Sequence, residues 1–192
     1  MSNGLVKKLS PAFILPDHVN EKGHVTNRNA SKVPYVHWPN KAPCYEANAW
    51  MLHKWKTGNI KHARRDDGGT LRTYGSNISH LLRFCYDNRI ELSDLTDNTF
   101  KLFMQGLQAE KNKNGNQKRK SNTVIAIGRK CIEFLVFVGE LSGNTSLIGE
   151  RGCQIEAYEY TKQVPYGKPV SYTHLRAHET LMNLVCRLLL EK

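Results

Sequence analysis

Three stretches of this chain repeat apolar residues every three or four positions, and that spacing commits them to helices. Leu71, Tyr74, Ile78, Leu81, Leu82 and Cys85 share one face of the first, and Phe100, Phe103, Met104 and Leu107 one face of the second. Val124, Ile127, Cys131, Leu135 and Val138 line the third, where Ile132 and Phe134 widen the stripe. A shorter stretch precedes them, with Ala47, Trp50, Met51, Lys54 and Trp55 at helical steps between Pro43 and Gly58. Proline suits a first turn and glycine closes a last one. Thr70 is expected to cap the first long helix, which stops around Asn88. Ser93 or Thr96 caps the next and Ser121 or Asn122 the last, which Ser142-Gly-Asn ends. Gly106 weakens the helix in which it sits. Each stretch has a single apolar face, so the expected fold class is all-α, a small four-helix bundle over residues 44–141.

The rest of the chain reads as connection. Residues 1–43 hold five of the seven prolines, Pro11, Pro16, Pro34, Pro39 and Pro43, and are expected to form an extended N-terminal arm with turns. Within it, Pro34-Tyr-Val-His-Trp-Pro39 reads as a short edge strand or a packed extended segment. Tyr35 and Trp38 either anchor it on the domain or stack on a base. Residues 59–69 form a basic link, Lys61-His-Ala-Arg-Arg65, followed by the turn Asp66-Asp-Gly-Gly69. Residues 111–120 read as an exposed basic loop, and residues 142–169 as a linker carrying Gly149, Gly152 and Gly167.

Lysine and arginine number 28 against 17 aspartates and glutamates, a net charge of +11. So basic a chain favours a polyanionic partner, and the alternative is a solubilising surface. No run approaches the roughly 20 apolar residues of a membrane span. Met1–Ser10 has no apolar core of a secretory signal, so a cytoplasmic chain with no membrane partner is expected. Cys44, Cys85, Cys131, Cys153 and Cys186 stand far apart, with no CxxC pair and no zinc-ligand spacing. They are expected to be reduced thiols packed as small apolar groups.

Catalytic chemistry is not legible. There is no glycine-rich phosphate loop, and His53, His62 and His80 are dispersed. No catalytic residue, metal site or cofactor is expected. The basic features carry the functional signal. Lys111, Lys113, Lys118, Arg119 and Lys120 lead into a helix start whose free N–H groups and dipole favour a phosphate. Ser121, Asn122 and Thr123 add donors there, and Arg72, Arg83 and Arg129 lie on helices of the expected bundle.

The order of these elements resembles one family. A helix opening Thr70-Leu-Arg-Thr-Tyr74, the turn Ile90-Glu-Leu-Ser-Asp-Leu-Thr96 and a basic loop before Ser121-Asn-Thr123 look like the core-binding (SAM-like) domain of tyrosine recombinases, the phage-type integrases. Tyr35-Val-His-Trp-Pro39 and Pro43-Cys-Tyr-Glu-Ala-Asn48 look like the entry segment of some members, so the resemblance covers roughly residues 34–141. It implies a fragment of a site-specific integrase acting in DNA integration and recombination. Its partners would be double-stranded DNA and other recombinase protomers on that DNA. In that family a second domain supplies the arginine, lysine, His/Arg box and nucleophilic tyrosine, and none of these is carried onto this chain. The DNA-binding residues expected here are Arg72, Arg83, Lys118, Arg119, Lys120, Ser121, Asn122, Thr123 and Arg129. Two competitors are a stand-alone accessory protein that binds nucleic acid and a helical protein–protein adaptor.

The C-terminal segment resembles something else. Val170-Ser-Tyr-Thr-His-Leu-Arg-Ala-His-Glu-Thr180 and Leu184-Val-Cys-Arg-Leu-Leu-Leu190 read as a translated sequencing adapter of the transposase type, with a variable index between. The segment Thr173-His-Leu-Arg-Ala-His178 is therefore discounted as a catalytic box, as a cloning scar would be. On this expectation residues 170–192 are adapter-derived, the native information stops near Lys168 and the gene was longer. Setting the segment aside leaves the charge at +10, so the basic balance stands.

Overall fold

Burial of the helical faces organises the chain into two compact units, Met1–Asn88 and a second beginning at Arg89. The computed structural model describes residues 4–57, 69–149 and 153–156. The adapter-like segment, most of the basic link and the end of the linker therefore lie outside the described residues.

In the first unit the proline-rich segment pairs as strands. Strand β1 (Val6–Lys8) runs antiparallel to β4 (Pro34–Val36), with Val6 opposite Val36 and Lys8 opposite Pro34. Strands β2 (Ile14–Val19) and β3 (Val25–Asn29) form a hairpin. Its register shifts between Pro16 and His18, the kind of irregularity that accommodates a residue with no N–H. Helices α1 (Tyr45–Thr57) and α2 (Gly69–Asn88) complete the unit. The expected faces are the buried ones: Ala47, Trp50, Met51 and Trp55 on α1, and Leu71, Ile78, Leu81, Leu82 and Cys85 on α2.

Leu5, Ala30, Val33 and Val36 are buried with them. The segment expected to be an arm thus supplies part of the core. The physical reason is that pairing β1 with β4 satisfies main-chain groups that water would otherwise have to reach, so the apolar side chains beside the pair can be buried. Asn48 locks β4 to α1. Its Oδ1 accepts from the Val36 N–H at 2.8 Å, and its Nδ2 donates to the carbonyls of Val36 and Cys44 at 2.8 and 2.7 Å. The Arg28 guanidinium of the hairpin stacks over the Trp55 ring, 4.6 Å from its centroid.

In the second unit a 3₁₀ turn at Leu92–Asp94 leads into α3 (Asp97–Ala109). Thr96 is the cap, in a reciprocal box with Thr99. The Thr99 N–H donates to Thr96 Oγ1 at 3.3 Å, and the Thr96 N–H donates to Thr99 Oγ1 at 2.8 Å. Helix α4 (Ser121–Ser142) packs on α3 and ends at Gly143, whose left-handed φ of 70° closes the helix. The packing is close. A Cβ on Gly128 would meet Met104 Cε at 2.7 Å, and one on Gly139 would meet the Asn144 carbonyl oxygen at 2.9 Å.

Part of the expected linker also folds back. β5 (Ile148–Gly149) pairs in parallel with β6 (Ile155–Glu156), Leu147 and Ile155 are buried, and the Asp97 N–H donates to the Gln154 carbonyl at 2.8 Å. The all-α expectation is therefore corrected. The described residues make a helix-rich, mixed fold with four helices and short two-stranded pairings. Helical periodicity marks the helices, but strands this short leave too few alternating residues to read.

Candidate nucleic-acid interface

The loop before α4 is ordered by its own side chains. Asn112 Oδ1 accepts from the N–H groups of Asn114 and Asn116, and Lys111 bridges Gln117. This folds the loop into a tight turn that carries Lys111 and Lys113 on its exposed surface. Glu110, the acid at the start of the loop, is already engaged. Lys118 Nζ donates to Glu110 Oε2 at 2.7 Å, and Arg119 Nη1 lies 2.8 Å from the same oxygen.

Three neighbouring cations that look equivalent in the sequence thus differ in the structure. Lys118 is half exposed and paired. Arg119 is only 12% exposed and braces the loop against Glu110. Lys120 is exposed and has no ion pair among the described residues.

Lys120 also corrects the expected cap. It is the N-cap residue of α4, with extended backbone and no side-chain acceptor, and Ser121 is already helical. The amides of Thr123 and Val124 both reach back to the Lys120 carbonyl, at 2.9 and 3.2 Å. The amides of Ser121 and Asn122 open the helix without a side-chain cap, so the positive end of the dipole faces outward. Ser121, Asn122 and Thr123 are all exposed around it.

Glu110 reports on the brace. Burial pushes its carboxyl pKa up, but the Lys118 hydrogen bond and the close charges of Lys118 and Arg119 outweigh this and hold it below its ordinary value. A lowered carboxyl pKa adds stability that is full above the ordinary range, about 4–5, and lost as pH falls through the folded value. Glu110→Gln should therefore melt below wild type by at most about 1 kcal/mol at neutral pH, the gain being small for a pair this open to water. The gap should shrink as pH falls through the folded value of Glu110 and close below it, where the wild-type carboxyl is protonated. Thermal melts across that range measure it, and a pH-independent gap would remove the brace from this account.

The remaining candidates lie on helices. Arg129 lies on α4, half buried, with its Nε shielded and without an acceptor among the described residues. Arg83 is half buried on α2 in the first unit and engaged in other contacts. Arg72 is exposed on the first turn of α2, where it lines a cleft with Lys7, Lys8 and Lys32. Those three lysines were not legible as site residues. Lys7 and Lys8 are adjacent in sequence, but only the pairing of β1 with β4 brings them to Lys32 and Arg72.

The buried thiols among the described residues are structural. Cys44, Cys85 and Cys131 are buried and unbridged, and burial pushes Cys44 and Cys85 up to about 12, which keeps them protonated and unreactive at neutral pH. Among the described residues no group of three or more His, Cys, Asp or Glu could hold a metal ion, and no helix is long and apolar enough to cross a membrane. No protein-family model, curated protein or solved structure matches the chain.

Proposed function

We propose that this chain is the DNA-gripping N-terminal part of a site-specific tyrosine recombinase, its four helices acting as a core-binding bundle and its catalytic domain lying outside the sequence. The observation that carries the reading is the start of α4. Lys120 stands exposed at a helix N-terminus with no side-chain cap, Lys111 and Lys113 are exposed on the loop that leads into it, and the adjacent acid is already held by Lys118 and Arg119. A phosphate there would meet free amides, a helix dipole and cations that need not leave a carboxylate. Such contacts position a duplex and carry little sequence information. The order of elements and the net charge of +11 support the same reading.

Binding to a random duplex should therefore be weak, nearly blind to sequence and steep in salt, with a log–log slope of about −4 or steeper. Replacing Lys111, Lys113 and Lys120 together by Ala should flatten it by about 2–3. The melting temperature should hardly move, because all three side chains are exposed. Fluorescence anisotropy between low and moderate salt tests both. A wild-type protein that ignores duplex at low salt would favour a protein–protein adaptor instead.

A further inference from the structure

A second cluster of positive charge lies in the first unit, on residues that the helical pattern does not mark. The paired strands β1 and β4 and the first turn of α2 enclose a cleft of about 200 Å³. Lys7, Lys8, Lys32 and Arg72 line it, and among the described residues no carboxylate does. Lys7, Lys8 and Arg72 have no ion pair among the described residues. Val33 and Pro34, both buried, form an apolar wall.

Lys7, Lys8 and Arg72, like charges at one cleft with no ion pair among the described residues, repel one another, and a low-dielectric wall behind them focuses their field outward. An anion in the cleft would relieve that repulsion. Size narrows the choice of anion. Sites that enclose a whole small molecule run to about 300–1,000 Å³. A cleft of about 200 Å³ has room for a phosphate with part of its sugar. An apolar wall beside the cations suits the carbon face of a sugar, which a bare inorganic anion would leave unused.

We propose that this cleft seats a backbone phosphodiester of duplex DNA. Lys7, Lys8 and Arg72 meet the phosphate oxygens, and the sugar rests beside Val33 and Pro34. The proposal depends on the DNA-binding reading above but concerns other residues than those at the start of α4.

The test uses the full chain and a random duplex, read by fluorescence anisotropy across a salt series. The double variant Lys8→Ala/Arg72→Ala should flatten the log–log slope by about 2 and weaken low-salt binding by about 10-fold or more. Both side chains are exposed, so its melting temperature should stay near wild type. A matched variant, Lys22→Ala/Lys56→Ala, removes the same charge from exposed positions outside the cleft and should leave the slope unchanged. If both pairs flatten it equally, net charge alone is at work and the cleft proposal is wrong. If wild type binds steeply and Lys8→Ala/Arg72→Ala binds the same way, the cleft proposal falls while the α4 reading stands. Absence of wild-type binding at low salt would remove both. Inorganic phosphate at constant ionic strength should compete no better than chloride. Strong competition that Lys8→Ala/Arg72→Ala abolishes would make the cleft a free-phosphate site and overturn the diester assignment.

Discussion

Trp50→Ala should lower the unfolding free energy by about 3–5 kcal/mol, the range for emptying an aromatic site in a packed core. Trp50 is 1% exposed and lies where α1 meets α2, its ring 5.9 Å from the Tyr74 ring at a tilt of 33°. Lys54 covers the ring with its ammonium 5.7 Å from the centroid, so truncation also removes a cation–π contact. Natural domains are stable by only about 5–15 kcal/mol, so a loss of this size removes a large share of the margin. Trp50→Phe keeps an aromatic filler and should lose less than half as much. Urea denaturation followed by far-UV circular dichroism measures both without relying on tryptophan emission. A loss under about 1 kcal/mol for Trp50→Ala would mean that the site collapses or floods at little cost, against the burial described here.

Asn48→Ala is expected to cost about 2–3 kcal/mol, although it removes little apolar surface. The side chain makes three hydrogen bonds to main chain, and one of them satisfies the N–H of the fully buried Val36. Leaving a buried amide unpaired costs about 1–3 kcal/mol by itself. Asn48→Asp should do no better than Ala. A carboxylate keeps the acceptor for the Val36 N–H but would face the carbonyls of Val36 and Cys44 with nothing to donate. Hydrogen exchange should speed up first at β1 and β4, because Asn48 is the side-chain tie between β4 and α1. Faster exchange confined to α3 and α4 would contradict this.

How much of the candidate interface could be read in advance follows from which interactions are local. The exposed basic loop depends on polar residues adjacent in sequence, and Lys111, Lys113 and Lys120 are exposed as the composition suggests. The division of labour among Lys118, Arg119 and Lys120 was not legible, because it depends on Glu110 across the turn taking the first two and leaving the third. The cap of α4 was misplaced by one or two residues, since a backbone that turns helical at Ser121 needs no side-chain oxygen at Lys120. Thr96 was legible because its partner Thr99 is only three residues away.

The amino-acid order by itself determined the helices. A period near 3.6 is a local property, and the faces marked by Trp50, Ile78, Phe103 and Leu135 are buried as their spacing requires. Tertiary structure alone decided what those faces meet. Val6 finds Val36 across thirty residues, Gly128 admits the Met104 side chain, and the Gly139 backbone approaches the Asn144 carbonyl. It also decided that Lys7, Lys8 and Lys32 join Arg72 around one cleft. Such contacts depend on which distant surfaces fit together once the chain has collapsed, and no periodicity along the chain encodes that fit.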